Sequence, residues 1–161
     1  MNTKNLNEIP DCRVIIVGAM GVGKSTVGKL LAEILAWEYI DNDFEISKLA
    51  SLSIKQLSQL DIPTLHTLES DYLKDILTRP TPLIAGAAAS IADNLDLIDA
   101  LENEFTVYLY SPLENLMKNA GTTGVTSELR TINKGKHSPE FSATFAKSVV
   151  GFLLNHPKKS V

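Results

Sequence analysis

With 161 residues, 44% hydrophobic and 21% charged, the chain has the size and composition of one globular domain with a sizeable core. A formal charge of -4 argues against nucleic acid or an anionic membrane as the main target, and no run of about 18 apolar residues offers a spanning helix. The single cysteine, Cys12, excludes an internal disulfide and a cysteine-based metal site and fits a reducing cytoplasm.

The opening stretch MNTKNLNEIPDCR is polar and lacks the apolar segment of a signal peptide, so residues 1–12 are expected to be flexible and the protein cytoplasmic. Arg13–Val17 (RVIIV) is a β-branched apolar run of the kind found in a strand buried on both faces. It feeds into the glycine-rich segment Gly18–Thr26, and Val27–Leu35 then has apolar residues at helical spacing. A second strand is predicted at Glu38–Ile40, followed by Asp41-Asn42-Asp43 and a helix over Phe44–Leu49.

Helices are predicted at Ile54–Leu60 and Thr64–Leu77, with Pro63 near the start of the second. A third strand at Pro82–Ala85 precedes the small-residue run Gly86–Ser90, and a helix at Asn94–Glu102 leads to a strand at Phe105–Leu109. Beyond it, a helix is predicted at Pro112–Asn119, a lid-like loop over Ala120–Ser138 and a closing helix at Phe145–Leu154. Strands alternating with helices predict a three-layer, doubly wound parallel α/β sheet in one domain over 1–161. Ligands of such sheets sit beyond the carboxyl ends of the strands, which places Gly18–Ser25, Asp41–Asp43, Gly86–Ser90 and Tyr110–Ser111 around one crevice.

Gly18-Ala19-Met20-Gly21-Val22-Gly23-Lys24-Ser25 fits the pattern G-x-x-x-x-G-K-[ST] at every fixed position. Glycines let the backbone curl so that successive N–H groups point at phosphate oxygens, and the following helix turns its N-terminal dipole toward the same anion. A nucleotide site of Gly18 through Thr26 follows, with Lys24 reaching the β- and γ-phosphates and the Ser25 hydroxyl available to magnesium. Asp41 and Asp43, two apart on a segment read as extended, should point the same way into the crevice. One can hold hydrated magnesium while the other orients or deprotonates an acceptor hydroxyl; alternatively Asp41 caps the following helix and Asp43 is solvated.

On the stretches GAMGVGKSTVGKLLAEIL, YIDNDFEI, SLSIKQL, LES, PLIAGAAAS and VYLYSPLENL the chain resembles the shikimate kinase family. The resemblance implies a nucleoside-monophosphate-kinase-like P-loop fold, ATP with Mg2+ as donor, and a small-molecule hydroxyl, shikimate or a relative, as acceptor. It implies that Ser25 and Asp41 serve the metal, that Lys24 and Asp43 are catalytic, and that Asp43 faces the acceptor together with His66, Ala87 and Ala88, which stand at the family's acceptor-site positions; Arg130, in the lid-like loop, is read separately as the one arginine placed to reach a ligand. A monomer is expected.

The departures fall on the acceptor side. Where the family has G-E-x-x-F-R this chain reads Asp61-Ile62-Pro63-Thr64-Leu65-His66, and Ala87, Ala88 and Ala89 replace a triple glycine. The lid motif R-P-L-L has no counterpart near Val125–Leu129, His137–Phe141 lacks the arginine of R-x-P-L-Y, and the nucleotide-stacking arginine falls near Asn119. Arginine grips a carboxylate with a planar fork that histidine cannot reproduce. Of the three arginines, Arg13 starts the first strand, Arg79 ends a helix as a solvated charge, and Arg130 lies in the lid-like loop. Three readings stay open: a kinase of shikimate or a close relative, a nucleotide-binding module without catalysis, and a kinase whose acceptor lacks a carboxylate.

Overall fold

The computed structural model describes residues 3–110, 146–151 and 153–154. Four strands, β1 (Arg13–Gly18), β2 (Glu38–Ile40), β3 (Leu83–Ala88) and β4 (Phe105–Leu109), form one sheet in the order β2-β3-β1-β4. All the pairings are parallel, with Val17 opposite Ala87 on one side and Tyr108 on the other. Because β1 is central and flanked by β3 and β4, its end is where chain segments from both sides converge.

Alternation along the strands sends successive side chains to opposite faces, and each face has its own core. Val14, Ile16 and Ile84 pack with Val27, Leu31 and Leu35 of α1 (Lys24–Leu35) and with Ala146, Val149 and Val150 of the helical segment 146–151. Ile15, Val17, Ala85 and Ala87 pack on the opposite face. There they meet Ile46 of α2 (Asn42–Ala50), Leu57 of α3 (Ile54–Leu57), Tyr72, Leu73 and Ile76 of α4 (Ile62–Thr78), and Leu97 of α5 (Leu95–Leu101). Helices on both faces of a parallel sheet make the three-layer, doubly wound architecture that the alternation predicted. Ile15 and Ile16 have no solvent exposure, and burying such a side chain contributes about 1.5–3 kcal/mol.

Several boundaries differ from the sequence expectation. The helix after β2 begins at Asn42, because Asp41 caps it by accepting the Phe44 N–H at 3.3 Å. Strand β3 spans Leu83–Ala88 and so continues into the small-residue run that was read as following the strand, since its small side chains fit between two neighbouring strands. The helix expected at Ile54–Leu60 stops at Leu57. Thr3–Glu8, in the segment expected to be flexible, forms a 3-10 helix, and Ile9 after it is buried. The helix at Pro112–Asn119 and the loop at Ala120–Ser138 lie outside the described residues.

Arg79 is not a solvated charge. Its guanidinium meets Glu45 of α2 at 2.7 Å and Asp75 of α4 at 2.7 Å, and its carbonyl accepts from Arg13, which also pairs with Glu104. The two carboxylates hold the Arg79 guanidinium firmly in its charged form. Both arginines therefore serve the fold, and Arg13 does so at the start of β1, the far end from the loop that follows that strand.

Candidate functional site

The loop leaving β1 is shaped by two glycines in the left-handed region, Gly21 at φ 77° and Gly23 at φ 100°, where a side chain would be strained. The Val22 N–H donates to the Ala19 carbonyl at 3.2 Å, and the Val27 N–H donates to the Gly23 carbonyl as α1 starts. Val22 anchors the loop by burying its side chain in the core. Lys24 lies back across the loop, its Nζ donating to the carbonyls of Gly18 at 2.8 Å and Ala19 at 3.1 Å.

Behind the loop, Ser25 donates its hydroxyl to the Asp41 carboxylate, which also accepts from the Tyr39 hydroxyl at 3.4 Å. Burial, and then the Asp41 charge beside it, push the Tyr39 phenol above its ordinary range, so it stays a donor. Tyr72, pushed up by burial first and by Tyr39 second, donates to the Gly86 carbonyl at 2.8 Å. These contacts link α1, β2 and the N-cap of α2 on one side, and α4 with β3 on the other.

Beside the loop opens a cavity of about 170 Å³. One wall is the loop itself, with Gly18, Met20 and Lys24; a second is the start of α2, with Asn42 and Asp43. Leu65, His66 and Glu69 of α4 form the third, and Ala88, Ala89 and Ser90 at the end of β3 the fourth. Glu69 is 5% exposed and accepts a hydrogen bond from the Ser90 hydroxyl. Among the described residues no cluster of three or more histidine, cysteine or acidic side chains could by itself cage a metal ion.

The structure therefore unites the glycine-rich loop, Asp43 and Ala88 around one cavity, as the strand-end argument required, and adds His66, which only the resemblance had brought forward. Three expectations need correction. Asp41 and Asp43 do not share a direction, because the helix starts between them and residues two apart on a helix are roughly 200° apart; Asp41 turns to Ser25 and Asp43 to the cavity. Ala87 has no exposure and sits in the core, since alternation along β3 turns it away from the wall that Ala88 joins. Tyr110 is 73% exposed and does not line the cavity. Ser111 and Arg130 lie outside the described residues.

Glu69 was missed as a wall residue, whereas Asn42 and Ser90 fall in the segments Asp41–Asp43 and Gly86–Ser90 that the strand-end argument placed at the crevice. Glu69 carried a signal: it falls on the apolar stripe Leu65, Tyr72, Leu73 and Ile76 of α4, where a carboxylate is out of place unless it serves a polar surface. The pairing of Ser90 with Glu69 carried none, because only the course of β3 brings the two together.

A parallel sheet with a glycine-rich loop between its central strand and the next helix defines the class: this is a P-loop NTPase fold. The shikimate kinase family model matches residues 20–146. The bifunctional shikimate kinase/3-dehydroquinate synthase of Thermotoga maritima is 34% identical over 113 residues, which are 68% of this chain and 22% of that protein. The shikimate kinase of Hahella chejuensis is 33% identical over 102 residues, 63% of this chain and 53% of that one. The structure of an Acinetobacter baumannii shikimate kinase in complex with shikimate superposes with a TM-score of 0.61 at 21% identity, covering 94% of this chain and 83% of that one. The chain belongs to the shikimate kinase family, and it spans about half the length, or less, of these two curated relatives.

Proposed function

We propose that this protein transfers the γ-phosphoryl group of ATP to a hydroxyl of a small acceptor, shikimate or a compound related to it. The observation that carries the reading is the meeting of Lys24, at the P-loop, and Asp43, on α2, at one cavity. Phosphoryl transfer asks mainly for positioning and charge neutralisation, and those two groups stand on the donor and acceptor sides of a single space.

The residues fit magnesium and a polyphosphate. The Ser25 hydroxyl and the Asp41 carboxylate are adjacent hard oxygen donors, the set that magnesium takes alongside water and phosphate oxygens. Gly18 to Thr26 supply curled backbone at the start of α1, which favours an anion. When bound, magnesium would neutralise charge on the β- and γ-phosphate oxygens. In this scheme Lys24 gives up its carbonyl contacts with Gly18 and Ala19 to meet phosphate oxygens. Asp43 accepts the proton of the acceptor hydroxyl as that oxygen bonds to the γ-phosphorus and the bond to the leaving diphosphate breaks. The cavity is smaller than the roughly 300–1,000 Å³ of drug-sized sites, which suits a small acceptor.

The membership and the identities above support this reading, as does the complex of the Acinetobacter baumannii relative with its acceptor. The test is an ADP-release assay with Mg·ATP and shikimate, backed by 31P NMR of the product. ADP release dependent on a hydroxylated acceptor, with a new phosphate monoester resonance, is expected. ATP binding without transfer to shikimate or any hydroxylated ring compound would instead support a nucleotide-binding module.

A further inference from the structure

We infer that Asn42 is a positioning residue for Asp43: its buried side-chain amide, seated against Gly86 of β3, fixes the direction in which the Asp43 carboxylate meets an acceptor hydroxyl. The inference rests on the phosphotransfer reading for the task of Asp43, and adds to it the residue that aims the carboxylate.

Asparagine is usually exposed, and a buried polar side chain needs a partner. Asn42, at the first position of α2, is 6% exposed. It does not cap the helix, because Asp41 holds that place. Its Nδ2 instead donates to Asp43 Oδ1 at 3.1 Å, at the cavity that both residues line. That contact also decides which way round the amide lies, since an ionised carboxylate takes only donors and turns the amide oxygen away. The oxygen lies over Gly86, where an added Cβ would stand 3.0 Å from Asn42 Oδ1 and 3.2 Å from the Tyr39 hydroxyl. Gly86 is itself tied to α4, its carbonyl accepting from the Tyr72 hydroxyl at 2.8 Å. The amide is therefore backed by β3 and reaches forward to Asp43.

A general base must stand within hydrogen-bond reach of the proton it takes, and a carboxylate free to swing spends less time there. Asp43 has other interactions as well, so losing the amide loosens the carboxylate without releasing it, and the expected loss of rate is partial. Leucine separates this role from simple space-filling, because it occupies nearly the same volume as asparagine and donates nothing.

The test measures transfer by the full chain from Mg·ATP to shikimate in Asn42→Leu, Asp43→Asn and the double variant, with a calorimetric titration of Mg·ATP and a urea midpoint for each. Asn42→Leu should lower kcat about tenfold, short of the roughly 10²-fold that 1 Å of misplacement can cost, with acceptor KM and nucleotide affinity within about threefold of wild type. In the Asp43→Asn chain the same substitution should cost less than about twofold, because the carboxylate through which Asn42 acts is gone. Gly86→Ala reaches the amide from the other side and should lower kcat by at least about threefold. Unchanged kcat in Asn42→Leu, or in Gly86→Ala should Asn42→Leu not fold, would overturn the inference and leave the role of Asp43 standing. An equal loss with and without the Asp43 carboxylate would do the same. No transfer to shikimate by the wild type, or full transfer by Asp43→Asn, would instead overturn the phosphotransfer reading beneath the inference, and the inference with it.

Discussion

Asp41 meets three demands with one carboxylate: it caps α2 at the Phe44 N–H, accepts from Ser25, and accepts from Tyr39. The Tyr39 ring reaches it by lying against Gly28 of α1, where an added Cβ would fall 2.1 Å from the ring. Gly28→Ala in an exposed helix would gain roughly 0.5–1 kcal/mol, but here the clash must displace the ring and costs about 1–3 kcal/mol. The clash wins, so the urea midpoint should fall; an unchanged or higher midpoint would show that the ring moves at no cost. Asp43 has a different place and a different expected phenotype. Asp43→Asn should leave nucleotide affinity within about threefold while lowering transfer by at least 10²-fold, the low end for loss of a positioned base. Retained turnover would remove Asp43 from its proposed role. At this scale the sequence singled out both carboxylates, gave the helix cap at Asp41 only as the alternative, and misjudged their directions. The pair was read as an extended segment, whereas the cap at Asp41 starts a helix and sends the two carboxylates to separate tasks.

Among the elements, α2 and α4 form two walls of the cavity, and Arg79 ties them together through Glu45 and Asp75. Removing the guanidinium leaves Glu45, 8% exposed, without its ion pair to Arg79. Arg79→Met should therefore destabilise by about 1.5–3 kcal/mol, toward the low end because Arg79 itself is partly exposed. Equilibrium urea unfolding measures it, and no change would mean that the tie is dispensable. At the other end of α4, Asp61 accepts the Thr64 hydroxyl at 2.7 Å and the Thr64 N–H at 3.0 Å, which hold its carboxyl below the usual carboxylate range. A lowered folded value means that its stabilisation is present above the ordinary value of 3.8 and is lost as pH falls below it. The difference in urea midpoint between wild type and Asp61→Asn should be larger at pH 6 than at pH 3; a constant difference would contradict the cap's ionic character. Strands β1, β2 and β4 were legible because apolar β-branched or aromatic runs dominate them. Strand β3 was truncated in the reading because Gly86, Ala87 and Ala88 carry little strand preference of their own, and only their central place in the sheet explains them.

For the molecule as a whole, the doubly wound sheet was legible from the alternation of elements, and the P-loop from a pattern whose spacing leaves little freedom. What no local pattern foretold was the contact that joins the α4 wall to the end of β3, where Ser90 meets Glu69 across 21 positions. Such a contact is a product of strand order, β2-β3-β1-β4, and no local pattern encodes it. The same order explains why so many functional segments converge: β1 carries the loop, β3 lies next to it, and β2 lies beyond β3. Everything proposed for transfer depends on a polyphosphate lodging at the end of β1. Calorimetric titration of the full chain with Mg·ATP tests that most directly. Saturable binding in the micromolar range or tighter, weakened at least 100-fold in Lys24→Ala, is the predicted result; a folded chain that takes up no Mg·ATP, or binds it equally well without Lys24, would contradict it.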